Sequence, residues 1–340
     1  MEVGVYSFGD TSFDPLTGKT FSPERSIKLL LERIKLADEV GLDYFGVGEH
    51  HRPDFPISAP AVVLGAAAAL TKNIRLGSAV TVLSTEDPVR VFQQFAEIDL
   101  ISGGRAEITV GRGSFTESFA LFGESLADYN ELFEEKLELL LKLNTENPIS
   151  WRGKFRPPLH EAQVWPRPMT GSLPIWIGTG GTAESSARAG RLGQNIAYAI
   201  IGGYPMRFGP QVDYYREAAR LAGHDASALK VCIASFGLIG DTSREAKDAM
   251  FPSWMHTMHQ VAAERGFSIP TEKSWQVQAN GDGAIFAGDA NEVADRILAL
   301  RDRLSHDRHL LQMDAGFIDH LTVMKSIELL GAKVKPQLNR

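Results

Sequence analysis

Short apolar runs alternate along this chain with longer segments in which apolar residues recur at helical spacing. Such runs, flanked by turn residues, predict buried strands, and the apolar stripes between them predict helices that cover those strands. The predicted strands are residues 3–8, 42–48, 74–83, 105–110, 173–178, 195–200, 230–239 and 310–317, with a small hairpin at 151–155. The predicted helices are residues 23–40, 60–70, 88–102, 129–143, 183–192, 211–222, 289–304 and 318–330.

Local signals support the positions of several helix ends. Ser22 precedes Pro23 at the start of the first helix, where a serine cap and a proline in the first turn are both favoured. Gly41 follows the last turn of that helix, as glycine often does. The pair Asp87 and Pro88 repeats the opening signal after the third strand. Each of these helices therefore starts soon after a strand has ended.

The strand-helix repeat is interrupted once, at residues 245–286. This region holds a helix and then a polar stretch, and it is longer than a simple crossover requires. No break in composition divides the chain into two parts. Eight strands alternating with helices favour a single (β/α)8 TIM barrel over residues 1–340, rather than an open doubly wound sheet. Residues 245–286 are then an insertion in this barrel.

Composition narrows the class of protein further. The chain has 340 residues, 44% of them hydrophobic and 23% charged, and a formal net charge of −7. This balance disfavours a broad basic surface for nucleic acid and predicts small-molecule partners. Cys232 is the only cysteine, which excludes a disulfide framework, and no apolar stretch is long enough to span a bilayer. We expect a cytoplasmic enzyme without a membrane segment.

The stretch from Gly46 to Arg52 holds the most prominent candidate chemistry. A short apolar run opens there into Glu49, His50 and His51 at a predicted strand end. Alternation along a strand places His50 on the same face as the two glycines of the run, which would leave space for a flat ligand beneath it. A second interpretation is that Glu49 and His51 tether a turn while His50 only packs. The residues alone leave both interpretations open.

A second candidate site lies between the fifth strand and its helix. Thr179, Gly180, Gly181 and Thr182 would present backbone amides at a helix N-terminus, a suitable cradle for phosphate, and Arg112 at the same rim could neutralise it. No acidic residue follows at the distance that a nicotinamide-binding fold needs. A tight turn without a ligand, and a surface ion pair for the arginine, remain the alternatives. No metal site is expected, because the first strand ends without a histidine pair.

Several motifs, in order, resemble those of the bacterial luciferase-like flavin monooxygenases along nearly the whole chain. The motifs are Gly46-Val47-Gly48-Glu49-His50-His51, Leu76-Gly77-Ser78-Ala79-Val80, Asp87-Pro88-Val89-Arg90, Asp99-Leu100-Ile101-Ser102-Gly103-Gly104-Arg105, Val110-Gly111-Arg112-Gly113 and Pro174-Ile175-Trp176-Ile177-Gly178. The resemblance implies a (β/α)8 barrel, commonly a homodimer, that uses reduced FMN supplied by a separate flavin reductase.

The resemblance also implies roles for individual residues. His50 matches the active-site histidine, a general base or hydrogen-bond partner near the flavin. Arg112 and the backbone of Gly180, Gly181 and Thr182 match the flavin-phosphate region.

Three further positions match the surroundings of the flavin ring. Ala79 and Val80 match a non-proline cis peptide beneath the ring. Gly111 stands where luciferase has a cysteine, so light emission is not expected.

The implied reaction is transfer of one oxygen atom to a small organic substrate through a C4a-peroxyflavin. Such an intermediate needs protection from water, which makes residues 245–286 the expected lid. Two alternatives remain: a deazaflavin-dependent hydride-transfer oxidoreductase on the same barrel, and a protein that binds flavin without turnover.

Overall fold

Twelve strands are present in the computed structural model, which describes residues 1–11, 20–266 and 268–339. In chain order they are β1 (Glu2–Ser7), β2 (Tyr44–Val47), β3 (Arg75–Ser78), β4 (Thr81–Val82), β5 (Ala106–Gly111), β6 (Ile149–Trp151), β7 (Leu159–Ala162), β8 (Ile175–Thr179), β9 (Asn195–Ala199), β10 (Val231–Ile239), β11 (Ile285–Gly288) and β12 (Arg308–Gln312).

Eight of these strands form a closed parallel barrel, which confirms the predicted TIM barrel. The ring runs β1, β2, β3, β5, β8, β9, β10, β12 and back to β1, and β4 pairs beside the end of β5. Tyr6 illustrates the closure, because it is in register with Gly46 of β2 on one side and Gln312 of β12 on the other. All eight carboxyl ends therefore share one rim.

Twelve α-helices surround the barrel within the same described ranges. They are α1 (Pro23–Glu39), α2 (Pro60–Leu70), α3 (Pro88–Ser102), α4 (Glu117–Phe122), α5 (Tyr129–Thr145), α6 (Ala183–Arg191), α7 (Gly209–Leu221), α8 (Ser243–Arg265), α9 (Glu272–Ala279), α10 (Ala290–Leu304), α11 (His320–Leu329) and α12 (Lys335–Leu338). The predicted caps are confirmed: the Ser22 side chain accepts from the Arg25 amide, and Asp87 accepts from two amides of α3. No described helix is long and apolar enough to cross a membrane.

The predicted third strand is divided into β3 and β4. Between them the Ala79–Val80 peptide bond is cis, as the resemblance implied. The residues that follow β2 bind this segment directly: the Glu49 amide donates to the Val80 carbonyl at 3.1 Å, and the Val82 amide donates to the Glu49 carboxylate at 2.9 Å. These bonds replace the regular ladder between the two strands.

The predicted hairpin at 151–155 is displaced. Its strands are β6 and β7, and the residues between them form a loop that is fastened to α5. The Glu135 carboxylate accepts the backbone amides of Lys154, Phe155 and Arg156, at 2.6 to 3.2 Å. A side chain from a neighbouring helix has therefore taken the hydrogen bonds that a strand would have used.

The insertion at 245–286 is more structured than the sequence predicts. It contains most of α8, all of α9 and the start of β11, which pairs in parallel with the second half of β10 outside the ring. The polar stretch at 280–283 is the turn between α9 and β11. The long helix α8 crosses the rim of the barrel and reaches the candidate site.

A buried ion cluster closes the opposite end of the barrel. Arg308 donates twice to the Glu107 carboxylate, at 2.7 and 3.1 Å, and once to Glu2 at 2.6 Å. The Trp176 indole also donates to Glu107, at 2.8 Å, and the guanidinium carbon of Arg308 lies 4.4 Å from the centre of the Tyr44 ring. Glu107 and Arg308 are both almost fully buried. This floor leaves the rim as the open end.

Candidate active site

A cavity of about 530 Å³ lies at the carboxyl-terminal rim, within the range usual for small-molecule sites. Seven of the nine predicted site residues line it: His50, Ala79, Val80, Gly111, Arg112, Thr179 and Gly180. The other two, Gly181 and Thr182, are set back at the start of α6. The strand-end rule has therefore brought residues 130 positions apart into one cavity, as the sequence predicts.

His50 lies in an aromatic enclosure. Its ring centre is 4.3 Å from that of Phe8, 4.5 Å from that of Phe55 and 5.0 Å from that of Phe115. The side chain is 8% exposed, and the backbone amide donates to the Ile57 carbonyl at 2.9 Å. Phe8, Phe55 and Phe115 all line the cavity, and Phe115 has no sequence signal that links it to this histidine. The enclosure limits access of water to the imidazole.

The predicted empty space beneath His50 is absent at the glycine positions. A Cβ at Gly48 would lie 2.3 Å from the Phe8 ring, and one at Gly46 would lie 2.8 Å from the Ala79 Cβ. These glycines admit neighbouring protein side chains, so that part of the prediction is wrong. The cavity is lined by Phe8 and Ala79 themselves and reaches Trp176 and Arg308 in the barrel interior.

Glu49 and His51 are tethers, as the second interpretation of this stretch proposed. The Glu49 carboxylate accepts from the Val82 amide at 2.9 Å, and its other oxygen lies 3.0 Å from His51 Nε2. Hydrogen bonding to Glu49 raises the pKa of His51 above its ordinary value. These contacts fix the loop that carries His50.

Arg112 lies beside the N-terminus of α6. Its guanidinium donates to Asn130 Oδ1 at 2.7 Å and to Ser185 Oγ at 3.2 Å, and its carbon lies 5.3 Å from the centre of the Tyr129 ring. Ser185 is in the first turn of α6, whose cap is Thr182. A fixed positive charge and a helix N-terminus thus occupy the same end of the cavity, an arrangement that favours an anion.

The turn between β8 and α6 has strict steric limits. Gly181 has a φ of +94°, and a Cβ there would lie 2.3 Å from the Phe208 ring. Its amide donates to Thr179 Oγ1 at 3.1 Å, so this amide is used within the turn. A Cβ at Gly180 would meet no atom within 4 Å. Gly180 is therefore the position from which the turn faces open space.

Val80 is enclosed by two glycines of neighbouring strands. A Cβ at Gly111 would lie 2.7 Å from a Val80 methyl group, and one at Gly178 would lie 2.8 Å from the other. The Gly111 that departs from luciferase therefore has a local packing reason. Together these residues form a smooth wall of the cavity.

The insertion supplies part of the cavity wall that sequence reasoning did not identify. Thr257, Met258 and Val261 of α8 line the cavity. Trp254 lies one helical turn before Met258, and its ring packs against that of Trp275, with 5.4 Å between the ring centres. Among the described residues, no group of three or more His, Cys, Asp or Glu side chains could hold a metal ion.

An ion-pair cluster joins α8 to the loop that follows His50. Arg52 donates to Glu264 of α8 at 2.6 and 2.9 Å and to Glu117 of α4 at 2.9 Å. Its guanidinium also lies 5.1 Å from the centre of the Phe115 ring. We call Arg52, Glu117 and Glu264 the Arg52 cluster. It lies beside the aromatic enclosure of His50.

Comparison with known proteins assigns the family. The family model described as luciferase-like monooxygenase matches residues 1–307. This chain belongs to the luciferase-like monooxygenase family. The luciferase-like chain is 25% identical, over 98% of its length and 92% of the relative, to 4-hydroxyprotoasukamycin monooxygenase of Streptomyces nodosus subsp. asukaensis. The family resemblance inferred from the motifs is thereby confirmed.

Solved structures with the same fold include proteins that use related cofactors. The luciferase-like chain superposes on monooxygenase RslO1 of Streptomyces bottropensis with a TM-score of 0.86, at 21% identity and 99% coverage of both chains. The oxygenating constituent of 3,6-diketocamphane monooxygenase of Pseudomonas putida, in complex with FMN, superposes with a TM-score of 0.76 at 22% identity. The match covers 99% of this chain and 98% of that one. The coenzyme F420-dependent tetrahydromethanopterin reductase of Methanopyrus kandleri gives 0.73 at 21% identity, covering 99% of both chains. These likenesses show that the chain shares its fold with those proteins.

Proposed function

We propose that this luciferase-like protein binds reduced FMN, delivered by a separate flavin reductase, and transfers one oxygen atom from O2 to a small organic substrate. The observation that carries the proposal is that His50 and Arg112 line one cavity. That cavity offers an enclosed imidazole and, beside a helix N-terminus, a positive charge. Flavin oxygenation requires both an anion site for the cofactor and a shielded reaction site.

The residues present fit FMN. The phosphate would lie against Arg112 and the first turn of α6, where Gly180 leaves room, and the ring would lie along the wall formed by Ala79, Val80 and Gly111. Reduced flavin, when bound, supplies the two electrons that activate dioxygen. The protein binds and orients the reactants, and a ring nitrogen of His50 holds or accepts a proton at the cavity surface.

Removing the Arg112 charge should weaken flavin binding. We expect Arg112→Ala to cost about 1.5–3 kcal/mol, or about 10- to 100-fold in Kd, because a charge-assisted hydrogen bond to phosphate is lost. Fluorescence titration with FMN and with riboflavin measures the effect. Riboflavin has no phosphate, so its affinity should change little. Arg220→Ala is the matched control, since Arg220 pairs with Glu217 on the outer surface of α7. Equal losses for both ligands would contradict the phosphate assignment.

We propose that residues 245–286 act as a lid, held closed by the Arg52 cluster. The partners of Arg52 are partly exposed, so each of its ion pairs contributes only the free energy expected of a surface ion pair. Arg52→Ala should remove about 1 kcal/mol from the closed state and make opening about fivefold more frequent.

Hydrogen peroxide released per NADH consumed reports lid opening, because an open site lets water reach the reacting flavin. The ratio should rise in Arg52→Ala. The matched control is Arg244→Ala, at an exposed position near the start of α8. An unchanged ratio in Arg52→Ala would remove the lid role from this cluster.

The uncovered face of α2 supports a homodimer. This helix is apolar along its whole length, yet Val62 is 72% exposed and Leu70 51%. Leu100 and Ile101 at the end of the neighbouring α3 are also exposed. An apolar surface of this kind is usually covered by a partner. We infer that a second copy covers it, which sedimentation velocity of the purified protein measures.

One assay distinguishes the proposed function from its alternatives. The protein is incubated with FMN, NADH, a flavin reductase, isotope-labelled O2 and a panel of aldehydes, alkanes and sulfonates. Labelled oxygen in a product, dependent on His50, supports the proposal. The alternative is hydride transfer with a deazaflavin, which the shared fold of the F420-dependent reductase favours. Tight binding of coenzyme F420 alone would select that alternative, and flavin binding without any product would indicate a non-catalytic protein.

A further inference from the structure

Two carboxyl groups from opposite ends of the chain meet beside the cavity. Asp10 follows β1 and Asp314 follows β12, and these two strands are neighbours in the barrel. Both residues are buried: Asp10 is 7% exposed and Asp314 is 2% exposed. Asp10 also lines the cavity. Gly9 makes the turn that brings Asp10 there: its φ is +68°, and a Cβ would lie 2.6 Å from Ile57 Cδ1.

The two carboxyl groups have unequal surroundings. Asp314 Oδ2 accepts from Ser7 Oγ at 2.5 Å and from the Arg33 guanidinium at 2.7 Å. The side chains of Arg33 and Asp314 are both buried, and the guanidinium compensates one negative charge of the carboxyl pair. Asp314 Oδ2 therefore has the environment of a carboxylate oxygen, whereas Asp314 Oδ1, like Asp10 Oδ1, has no hydrogen-bond partner among the described residues.

Asp10 has a weaker environment for a negative charge. Its Oδ2 accepts the Gly316 amide at 2.8 Å, while its Oδ1 has no hydrogen-bond partner anywhere in the described part of the chain. A buried polar atom without a partner is costly, and this one belongs to a side chain on the cavity wall. Asp10, unlike Asp314, lines the cavity, so a ligand there is a candidate partner for its Oδ1.

The charges around the pair favour one retained proton. Arg33 of α1 is the cation that faces it, and Arg33 also donates to His320 of α11 at 3.3 Å. Tyr6 faces the pair from β1, and burial keeps its hydroxyl neutral. Burial raises the pKa of Asp10 well above its ordinary value, and the nearby Asp314 raises it further. Two adjacent carboxyl groups that share one cation do not both ionise readily.

We propose that Asp10 is a neutral carboxylic acid whose Oδ1 hydroxyl donates a hydrogen bond to an acceptor oxygen of the substrate. Asp10 is then a specificity-determining residue. That the ligand is a substrate rests on the proposed function. The cavity that Asp10 lines is also lined by apolar side chains, among them Phe8, Phe236 and Met258. The substrate class is therefore a neutral, mainly apolar molecule with one carbonyl or other acceptor oxygen. An anionic substrate is disfavoured by the charge of Asp314.

The protonation state is tested by infrared difference spectroscopy of the full-length protein at pH 7. The spectrum of wild type minus Asp10→Asn should contain the carbonyl band of a protonated carboxyl group. Carboxylate bands alone in that difference would overturn the proposal. This measurement needs neither flavin nor turnover, so it stands or fails independently of the oxygenase reaction.

The hydrogen bond is tested with a matched pair of probes, 2-octanone and octane. Asp10→Leu removes the donor, whereas Asp10→Asn keeps one in its amide group. We expect 2-octanone binding to weaken about 3- to 10-fold in Asp10→Leu, the usual range for one neutral hydrogen bond, and to change less in Asp10→Asn. Octane binding should stay within about twofold in both, because no hydrogen bond to octane exists to be lost.

The carbonyl stretch of carbon-13-labelled 2-octanone provides the direct readout. It should shift to lower frequency in wild type and in Asp10→Asn, and the shift should vanish in Asp10→Leu. If Asp10→Leu does not fold, the shift in Asp10→Asn and the wild-type infrared band still decide the question. Failure of wild type to bind 2-octanone, an unshifted carbonyl band, or equal losses for both probes would each overturn the proposal.

Discussion

Replacement of His50 by alanine should abolish oxygen transfer and leave FMN affinity within a few-fold of wild type. The imidazole lies inside the Phe8, Phe55 and Phe115 enclosure, so its removal takes away the proposed shielded proton acceptor. The proposed phosphate contacts are made by Arg112 and the first turn of α6, and not by His50. Loss of a positioned general acid or base typically costs a factor of about 10² to 10⁴.

The measurement is single-turnover oxygenation of the enzyme-bound reduced flavin, paired with an FMN titration of the same preparation. His259→Ala is the matched control, because His259 is exposed on α8. Its activity should equal that of wild type. A parallel loss of flavin affinity and oxygenation in His50→Ala would show instead that His50 holds the site together. Thermal unfolding of both variants separates that result from misfolding.

Replacement of Arg308 by methionine should lower the free energy of unfolding by about 3–5 kcal/mol, the largest stability effect that we expect. Glu107 is buried in the floor of the barrel, and Arg308 makes two of its hydrogen bonds. Removal of the cation leaves a buried carboxylate with only Arg75 and the Trp176 indole to compensate it. Urea denaturation measures the change. Arg303→Met, at a half-exposed position on α10, is the control and should change stability little.

The pH dependence gives an independent check on this cluster. Burial alone would raise the pKa of Glu107, but Arg308 and Arg75 outweigh it and hold the pKa below its ordinary value. A lowered folded-state pKa means that the cluster stabilises the wild type above the unfolded pKa of about 4.3 and loses this contribution as pH falls through the folded-state value. The difference between wild type and Arg308→Met should therefore shrink in acid.

A double variant completes the argument about the floor. Since the cost in Arg308→Met comes from the unpaired Glu107, Glu107→Leu combined with Arg308→Met should recover much of the lost stability. Additive losses in the double variant would mean that packing around Tyr44 and Trp176, rather than charge, is what Arg308 provides.

The sequence by itself determined the barrel and the positions of most candidate site residues. Apolar periodicity, the caps at Ser22 and Asp87, and the regular return of strands are local signals, and each acts within about ten residues. Once eight parallel strands are known, their carboxyl ends must share one rim. That single rule predicts that His50, Arg112 and Thr179 lie at the same rim.

Only the tertiary structure decided which side chains touch. The glycines before His50 predict an empty space, but Phe8 and Ala79 fill it. The sequence shows that a side chain is missing there, but it does not show which neighbour occupies the space. Glu264, which binds Arg52, and Gly316, which binds Asp10, each come from a segment more than two hundred residues away. Periodicity carries no information about such pairs. They depend on the register of separate strands and on the rotation of α8, which are fixed only when the whole barrel packs.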